Sequence, residues 1–267
     1  MQKTDNRPIG VFDSGVGGLS ILIELKKLLP NENFVFLADQ KYVPYGEKTK
    51  SELVKLCTNI TDYFVKKHDI KMMVVACNTA TCGSIEELRA TYSFPIVGTV
   101  PAVKPASVLT KSGTVAVIST PSTSQSLALN NIINHECGDV KVINVGCKNL
   151  ENAVETGDLF SDNVKTLLNT YLKEIINSNT DHLVLGCTHY PFLKKTIQKM
   201  VGRKIKLIDS GRAIAKNTKS LAVKHKIANK QKMKGKTKYF TTGGAKKFSK
   251  VASSLLKTKV VANSVKL

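Results

Sequence analysis

Leu183-Val-Leu-Gly-Cys-Thr-His-Tyr-Pro-Phe-Leu193 decides how this chain folds. An apolar run of strand character ends at Gly186, a thiol follows at Cys187, and Pro191 stands where a helix can begin. The same arrangement occurs 110 positions earlier. Met72 to Ala76 is apolar, Cys77-Asn78-Thr79 makes the turn, and Ala80 to Ala90 has helical spacing. Two strand–Cys–helix units in one chain are what any functional reading must explain.

On either side of these units strands and helices alternate. Ile9 to Phe12 reads as the first strand, followed by the glycine-rich turn Asp13-Ser14-Gly15-Val16-Gly17-Gly18 and a helix from Leu19 to Leu29. Strands over 33–38 and 94–98 flank the unit around Cys77, with a helix over about 51–67. The pattern restarts after Pro101. A helix (103–109), a strand (114–119), one helix over 122–135, a strand (140–146) and helices near 151–156 and 162–176 lead to the second unit. There a helix is expected from Pro191 to Val201, then a strand over 205–208. A helix to about Lys224, a strand over 237–241, a helix over 245–256 and an apolar tail at 260–262 complete the chain. This pitch predicts an α/β protein of two similar lobes with mainly parallel sheets and an active-site cleft between them. Residues 1–100 plus 210–267 are expected to form the first, discontinuous lobe, and residues 101–209 the second.

The 267 residues are enough for such a core without staples. The six cysteines therefore read as free thiols, with Cys57, Cys82, Cys137 and Cys147 as small buried hydrophobes. No run approaches a membrane span, and the first residues lack the apolar core of a signal peptide, so the chain reads as cytoplasmic. The net charge of +20 is uneven: residues 187–267 hold 22 Lys and Arg against one acid, Asp209. Such a segment can serve an anionic partner, nucleic acid included. Its lysines are dispersed, few aromatics lie among them to stack on bases, and Arg203 and Arg212 are the only arginines. A solvated lysine face is the simpler account.

The glycine turn misses the dinucleotide fingerprint, because Ser20 stands where its third glycine belongs. It is left as a helix N-terminus suited to a small anion such as a carboxylate. Cys77, Cys82, Cys187 and His189 lack the spacing of zinc ligands, and no metal or cofactor is expected. Cys77 and Cys187, each between a strand and a helix, are instead expected to have lowered thiol pKa values. His189, two residues beyond Cys187, suits a proton shuttle for that thiol. Two thiols facing a ligand from opposite sides could remove a proton from carbon and return one to the other face, inverting the centre. Serine-type hydrolysis would leave the second cysteine idle.

Phe12-Asp13-Ser14-Gly15-Val16-Gly17-Gly18-Leu19, Val43-Pro44-Tyr45-Gly46, Ala76-Cys77-Asn78-Thr79-Ala80 and Gly186-Cys187-Thr188-His189-Tyr190-Pro191 together resemble the glutamate racemase family. Val100-Pro101-Ala102, Ser119-Thr120-Pro121-Ser122-Thr123 and Ile208-Asp209-Ser210-Gly211 support the match, which spans nearly the whole chain. The resemblance implies cofactor-independent interconversion of L- and D-glutamate, supplying D-glutamate for peptidoglycan. It implies that Cys77 acts on D-glutamate with help from Asp13, and that Cys187 acts on L-glutamate beside His189 and Glu155. Asp13, Ser14, Tyr45, Gly46, Asn78, Thr79, Thr188 and His189 match the family's substrate contacts, and a homodimer is the implied assembly. The sister aspartate racemases carry Glu where His189 stands, which favours glutamate. The segment Cys147-Lys148-Asn149-Leu150-Glu151-Asn152-Ala153-Val154-Glu155 lacks the family's two prolines. Glu155 keeps its offset from the cysteine, with Glu151 a neighbouring candidate. The rival readings are another racemase of the same superfamily and, from a different class, a basic nucleic-acid-binding module.

Overall fold

The computed structural model describes residues 4–267. The first half of the chain runs β1 (Ile9–Asp13), α1 (Leu19–Leu28), β2 (Phe34–Ala38), α2 (Lys50–His68), β3 (Met72–Val75), α3 (Asn78–Thr91), β4 (Ile96–Gly98) and α4 (Val103–Leu109). It continues through β5 (Thr114–Ser119), α5 (Pro121–Ser124), α6 (Leu127–Glu136), β6 (Lys141–Gly146), α7 (Leu150–Thr156) and α8 (Asp162–Ile176). The last third holds β7 (His182–Leu185), α9 (Lys194–Val201), β8 (Lys206–Asp209), α10 (Gly211–Lys224), β9 (Thr237–Thr241), α11 (Ala245–Leu256) and β10 (Ala262–Ser264).

β1, β2 and β3 are buried along their whole length, as strands covered on both faces by helices must be. Their side chains alternate between two cores. Phe34, Phe36, Met72 and Val74 pack on one face, and Val35, Leu37, Met73 and Val75 on the other. Every strand pair among the described residues is parallel. One sheet has the order β10-β9-β2-β1-β3-β4 and the other β6-β5-β7-β8. The four strands β5 to β8 thus repeat the order of β1 to β4: second, first, third, fourth. The first lobe merely adds β9 and β10 beyond β2. The two lobes are not loosely strung, since one apolar cluster includes Val16 and Leu19 of the first together with Ile118 and Leu185 of the second.

Two expected helices differ in detail. The helix read over 122–135 is two helices, because Thr120 caps α5 and Ser126 starts afresh by accepting from the Leu129 N–H. The helix read from Pro191 is a 3-10 turn over Tyr190–Leu193 followed by α9. Lysines dominate the surface of the C-terminal elements, and Lys194 on α9 pairs with Asp209 at 3.5 Å. No helix of the described residues is long and apolar enough to cross a membrane.

Candidate active site

In an open parallel sheet the chain turns away in opposite directions where the strand order reverses, and the crevice beyond the strands' carboxyl ends takes ligands. Here that point lies between β1 and β3 in one lobe and between β5 and β7 in the other. The loops leaving these four strands carry Asp13-Ser14, Cys77, Thr120 and Cys187, so each cysteine follows the third strand of its lobe. Both cysteines line one narrow cleft.

The wall from the first lobe is built by Ser14, Cys77, Asn78, Thr79 and the Val43–Gly46 loop. Cys77 is the N-cap of α3, and its sulfur accepts from the Ala80 N–H at 3.4 Å while its S–H donates to Ser14 Oγ at 3.8 Å. The expected lowering of its pKa is overturned. Burial pushes the Cys77 thiol well up, the charge of Asp13 adds to this, and the Ala80 N–H offsets only part. Asp13 is fully buried and does not line the cleft; it stands behind the wall, accepting from the Gly15 N–H and from Thr188 Oγ1, each at 3.1 Å. Burial raises its pKa too, against the opposing charge of His189. Tyr45 lines the cleft, but its hydroxyl donates to Asp39 Oδ2 at 2.6 Å and is held there.

Cys187 lies between β7 and the 3-10 turn that leads into α9, in the order read from the sequence. No helix starts at it; instead Tyr190 N–H turns back to the Cys187 carbonyl, and the sulfur lies 3.6 Å from His189 Nδ1. His189 Nε2 is 2.7 Å from Glu155 Oε1. Glu155 also accepts from the Val16 N–H and from Gln40 Nε2, both at 2.6 Å. Burial alone would strip the proton from this imidazole, yet the Cys187 and Glu155 contacts outweigh it and hold His189 well above its ordinary pKa. Burial likewise opposes ionisation of Glu155, and the His189 hydrogen bond and charge, with Gln40 and Val16, hold it below the usual range. A doubly protonated ring would donate from Nε2 to Glu155 and from Nδ1 towards the Cys187 sulfur.

Glu151 and Glu155 are placed differently on α7. Glu155 meets His189, while Glu151 lines the cleft one turn earlier on α7 without touching it. The glycine turn also gains its reason. It is a carboxylate site, as its N–H groups imply, but the carboxylate is the chain's own Glu155, which reaches it from the other lobe. A Cβ at Gly15 would run into the Glu155 carboxylate, and one at Gly17 into the His189 ring. Glycine is required there for close approach rather than for an unusual backbone angle.

Sequence reasoning missed Gln40 altogether. It joins the site because Glu155 arrives from 115 residues away, which no local signal records. Thr120 and Thr123 were legible only as part of a supporting motif. Their hydroxyls bond Thr79 across the lobe boundary at 2.9 and 3.1 Å. Lys148 and Glu47, both exposed, pair across the same boundary at 3.6 Å. Among the described residues no group of three or more His, Cys, Asp or Glu is arranged to hold a metal ion. Cys57, Cys137 and Cys147 are buried, Cys82 is half-buried, and all are free thiols.

The model of the Asp/Glu/Hydantoin racemase family matches residues 24–218. A glutamate racemase from Pseudomonas syringae pv. tomato is 44% identical over 215 residues, which cover 80% of this chain and 78% of that protein. A glutamate racemase isoform from Bacillus anthracis superposes with a TM-score of 0.89 at 29% identity, over 98% of both chains. The glutamate racemase of Francisella tularensis, solved in complex with D-glutamate, gives a TM-score of 0.85 at 31% identity, again over 98% of both. This chain belongs to the Asp/Glu/Hydantoin racemase family, and within it to the glutamate racemases.

Proposed function

We propose that the chain interconverts L- and D-glutamate by two-base proton transfer, Cys187 serving the L-enantiomer and Cys77 the D-enantiomer, without metal or organic cofactor. The observation that carries this reading is the placement of Cys77 and Cys187 at equivalent strand ends of two lobes, lining one cleft.

In the L-to-D direction the Cys187 thiolate, paired with the His189 imidazolium, takes the proton from Cα. The electron pair left behind spreads into the α-carboxylate, which docks on the backbone N–H groups opening α3. Cys77, kept as a thiol by burial, gives its proton to the opposite face of the carbon. The cycle leaves Cys187 protonated and Cys77 as thiolate, the state needed for the reverse reaction. Asp13, behind Cys77, supports its changes of charge, and Glu155 fixes the tautomer and charge of His189. Ser14, Gly46, Asn78, Thr79 and Thr188 shape the cleft around the substrate, while Tyr45 contributes its ring and backbone rather than its hydroxyl.

The D-glutamate would supply peptidoglycan synthesis, in the cytoplasm, and the resemblance to glutamate racemases implies a homodimer. The Francisella relative bound to D-glutamate supports glutamate as the substrate. The deciding experiment incubates purified protein in deuterium oxide with each enantiomer of glutamate and of aspartate, without added pyridoxal phosphate or metal. Deuterium should enter Cα of both glutamates with inversion. Exchange into aspartate alone would replace this reading with that of an aspartate racemase.

A further inference from the structure

At the amino ends of the first lobe's strands, the end opposite the cleft, cations gather on neighbouring segments. The last turn of α2 brings Lys66 and Lys67, and the start of β9 brings Lys236 and Lys238. These four line one recess beside Asn6 and Asn33. The segment before β9 folds against the turn from α1 to β2. There the Asn229 N–H donates to Glu32 Oε1 at 2.7 Å, and the Gly235 N–H to the Pro30 carbonyl at 2.9 Å. Lys232 and Lys234 are thereby held at the same end of the lobe. Lys234 lies near Lys26 of α1, and Lys238 near His68; in each case the like charge adds to burial in lowering that neighbour's pKa.

The acids of this end are already taken. Asp5 and Asp69 meet Arg7, Asp62 meets Lys66, Glu24 meets Lys27, and Glu32 is buried with Lys71. Among the described residues no carboxylate pairs with Lys67, Lys232, Lys234, Lys236 or Lys238. Scattered lysines are accounted for by solvation alone, but five without acids on one end of a lobe draw in an anionic partner. Two features choose among such partners. Met233, between Lys232 and Lys234, is 75% exposed, and Val65, beside Lys66, is 39% exposed; a phosphate backbone has no use for either. The rings nearby, Tyr63, His68 and Phe240, pack on one another with centroids 4.9 to 6.0 Å apart and are not free to stack on bases. Lysine point charges around exposed apolar side chains suit the headgroup layer of an acidic bilayer.

We propose that this end of the first lobe docks on an anionic lipid surface, its lysines against the headgroups and Met233 entering between them. The contact is with the surface alone, since no helix of the described residues is long and apolar enough to cross the bilayer. The cleft lies beyond the carboxyl ends of the same strands, so a docked molecule keeps it open to solvent.

The test is flotation of the whole purified chain with phosphatidylcholine vesicles, with and without phosphatidylglycerol, at low and at moderate salt. The wild type should float with the acidic vesicles only, and less so as salt screens the lysines. Replacing Lys232, Lys234 and Lys236 together by Gln should weaken binding by roughly 10²-fold, about fivefold for each charge. The same loss of charge on α11, in Lys246→Gln, Lys247→Gln and Lys250→Gln, should matter much less, because that helix starts at the carboxyl end of β9. Met233→Gln should weaken binding by roughly fivefold at either salt. All seven side chains are exposed, so every variant should keep the wild-type melting temperature. The proposal is overturned if acidic vesicles bind nothing at low salt, if the two triple variants lose binding equally, or if Met233→Gln has no effect. Duplex DNA bound in the same buffers and released by the first triple variant, with no vesicle binding, would give this face to nucleic acid instead.

Discussion

The ends of β3 and β7 occupy the same place in two sheets of the same strand order, yet they hold their cysteines in opposite ways. Cys77 sits on a helix N-terminus with a serine and a backbone N–H for company and a buried acid behind it. Cys187 has no helix at its back and instead faces an imidazole held by a carboxylate. A helix N-terminus lowers a thiol's pKa when water or a cation shares the load. At Cys77 the thiol is buried and Asp13 is nearby, so desolvation wins. At Cys187 the neighbour is instead His189, 3.6 Å away and held by Glu155. Equivalent positions in a fold therefore do not confer equivalent chemistry; the neighbours from outside the repeated unit decide it.

Removing one thiol at a time breaks the comparison most severely. Cys77→Ala and Cys187→Ala should each lose racemisation by about 10²–10⁴-fold or more. The surviving base should still exchange its own enantiomer's α-proton: Cys77→Ala should wash deuterium into L-glutamate alone, and Cys187→Ala into D-glutamate alone. Mass spectrometry with chiral separation reads both outcomes, and exchange into the wrong enantiomer would reverse the assignment. A subtler break targets the support of Cys187 from the other lobe. Gly15→Ala places a methyl group against the Glu155 carboxylate and should push the His189 contact out of line. A fall in kcat of about 10²-fold is expected for such a displacement, with a stability loss of about 1–3 kcal/mol by denaturant titration. The same substitution should leave the exchange catalysed by Cys77 on D-glutamate the less affected of the two.

The smallest effect is on stability against pH. His189 is held above its ordinary value of 6.5, so its share of stability is complete below that pH and is lost as pH rises through the folded-state value. Glu155 is held below its ordinary 4.5, so its share is present above that pH and is lost as pH falls through the lowered value. Melting temperature should therefore be highest between the two. Glu155→Gln should flatten the acid limb and bring the alkaline decline to lower pH, because His189 loses its anion. Cys77 is a neutral thiol in the folded and unfolded chain well below pH 9.0, so over that range Cys77→Ser should shift the profile without changing its shape. An alkaline limb untouched by Glu155→Gln would show that the imidazolium does not depend on that carboxylate.

The sequence made the strand–Cys units legible because β3 and β7 are unbroken apolar runs and a thiol at their tips stands out. It also showed the capped helices and the restart after Pro101. Long-range partners were another matter. Nothing near Asp13-Ser14-Gly15 announces that Glu155 will fill the turn, so the glycines read as a place for an external anion. The missed break before Ser126 and the 3-10 turn before α9 are local. A second cap won over continuous periodicity at Ser126, and at Pro191 a tight turn preceded the helix that proline seemed to begin. The misjudged thiol at Cys77 had a physical cause, since a helix N-terminus is visible in sequence and complete burial is not.

The repeated strand order carries a consequence for stereochemistry. Two lobes of matching strand order can present similar frameworks to the two faces of one carbon, but no arrangement of L-residues is the mirror image of another. On the proposed two-base mechanism the enantiomers therefore meet unlike surroundings, with His189 beside Cys187 on one side and buried Asp13 behind Cys77 on the other. Their saturation and maximal turnover must differ. Mirror-image amino acids are nonetheless equally stable in water, so the ratio kcat/KM has to be the same in both directions. The asymmetry of the site can surface only in how each enantiomer divides that common ratio between binding and speed.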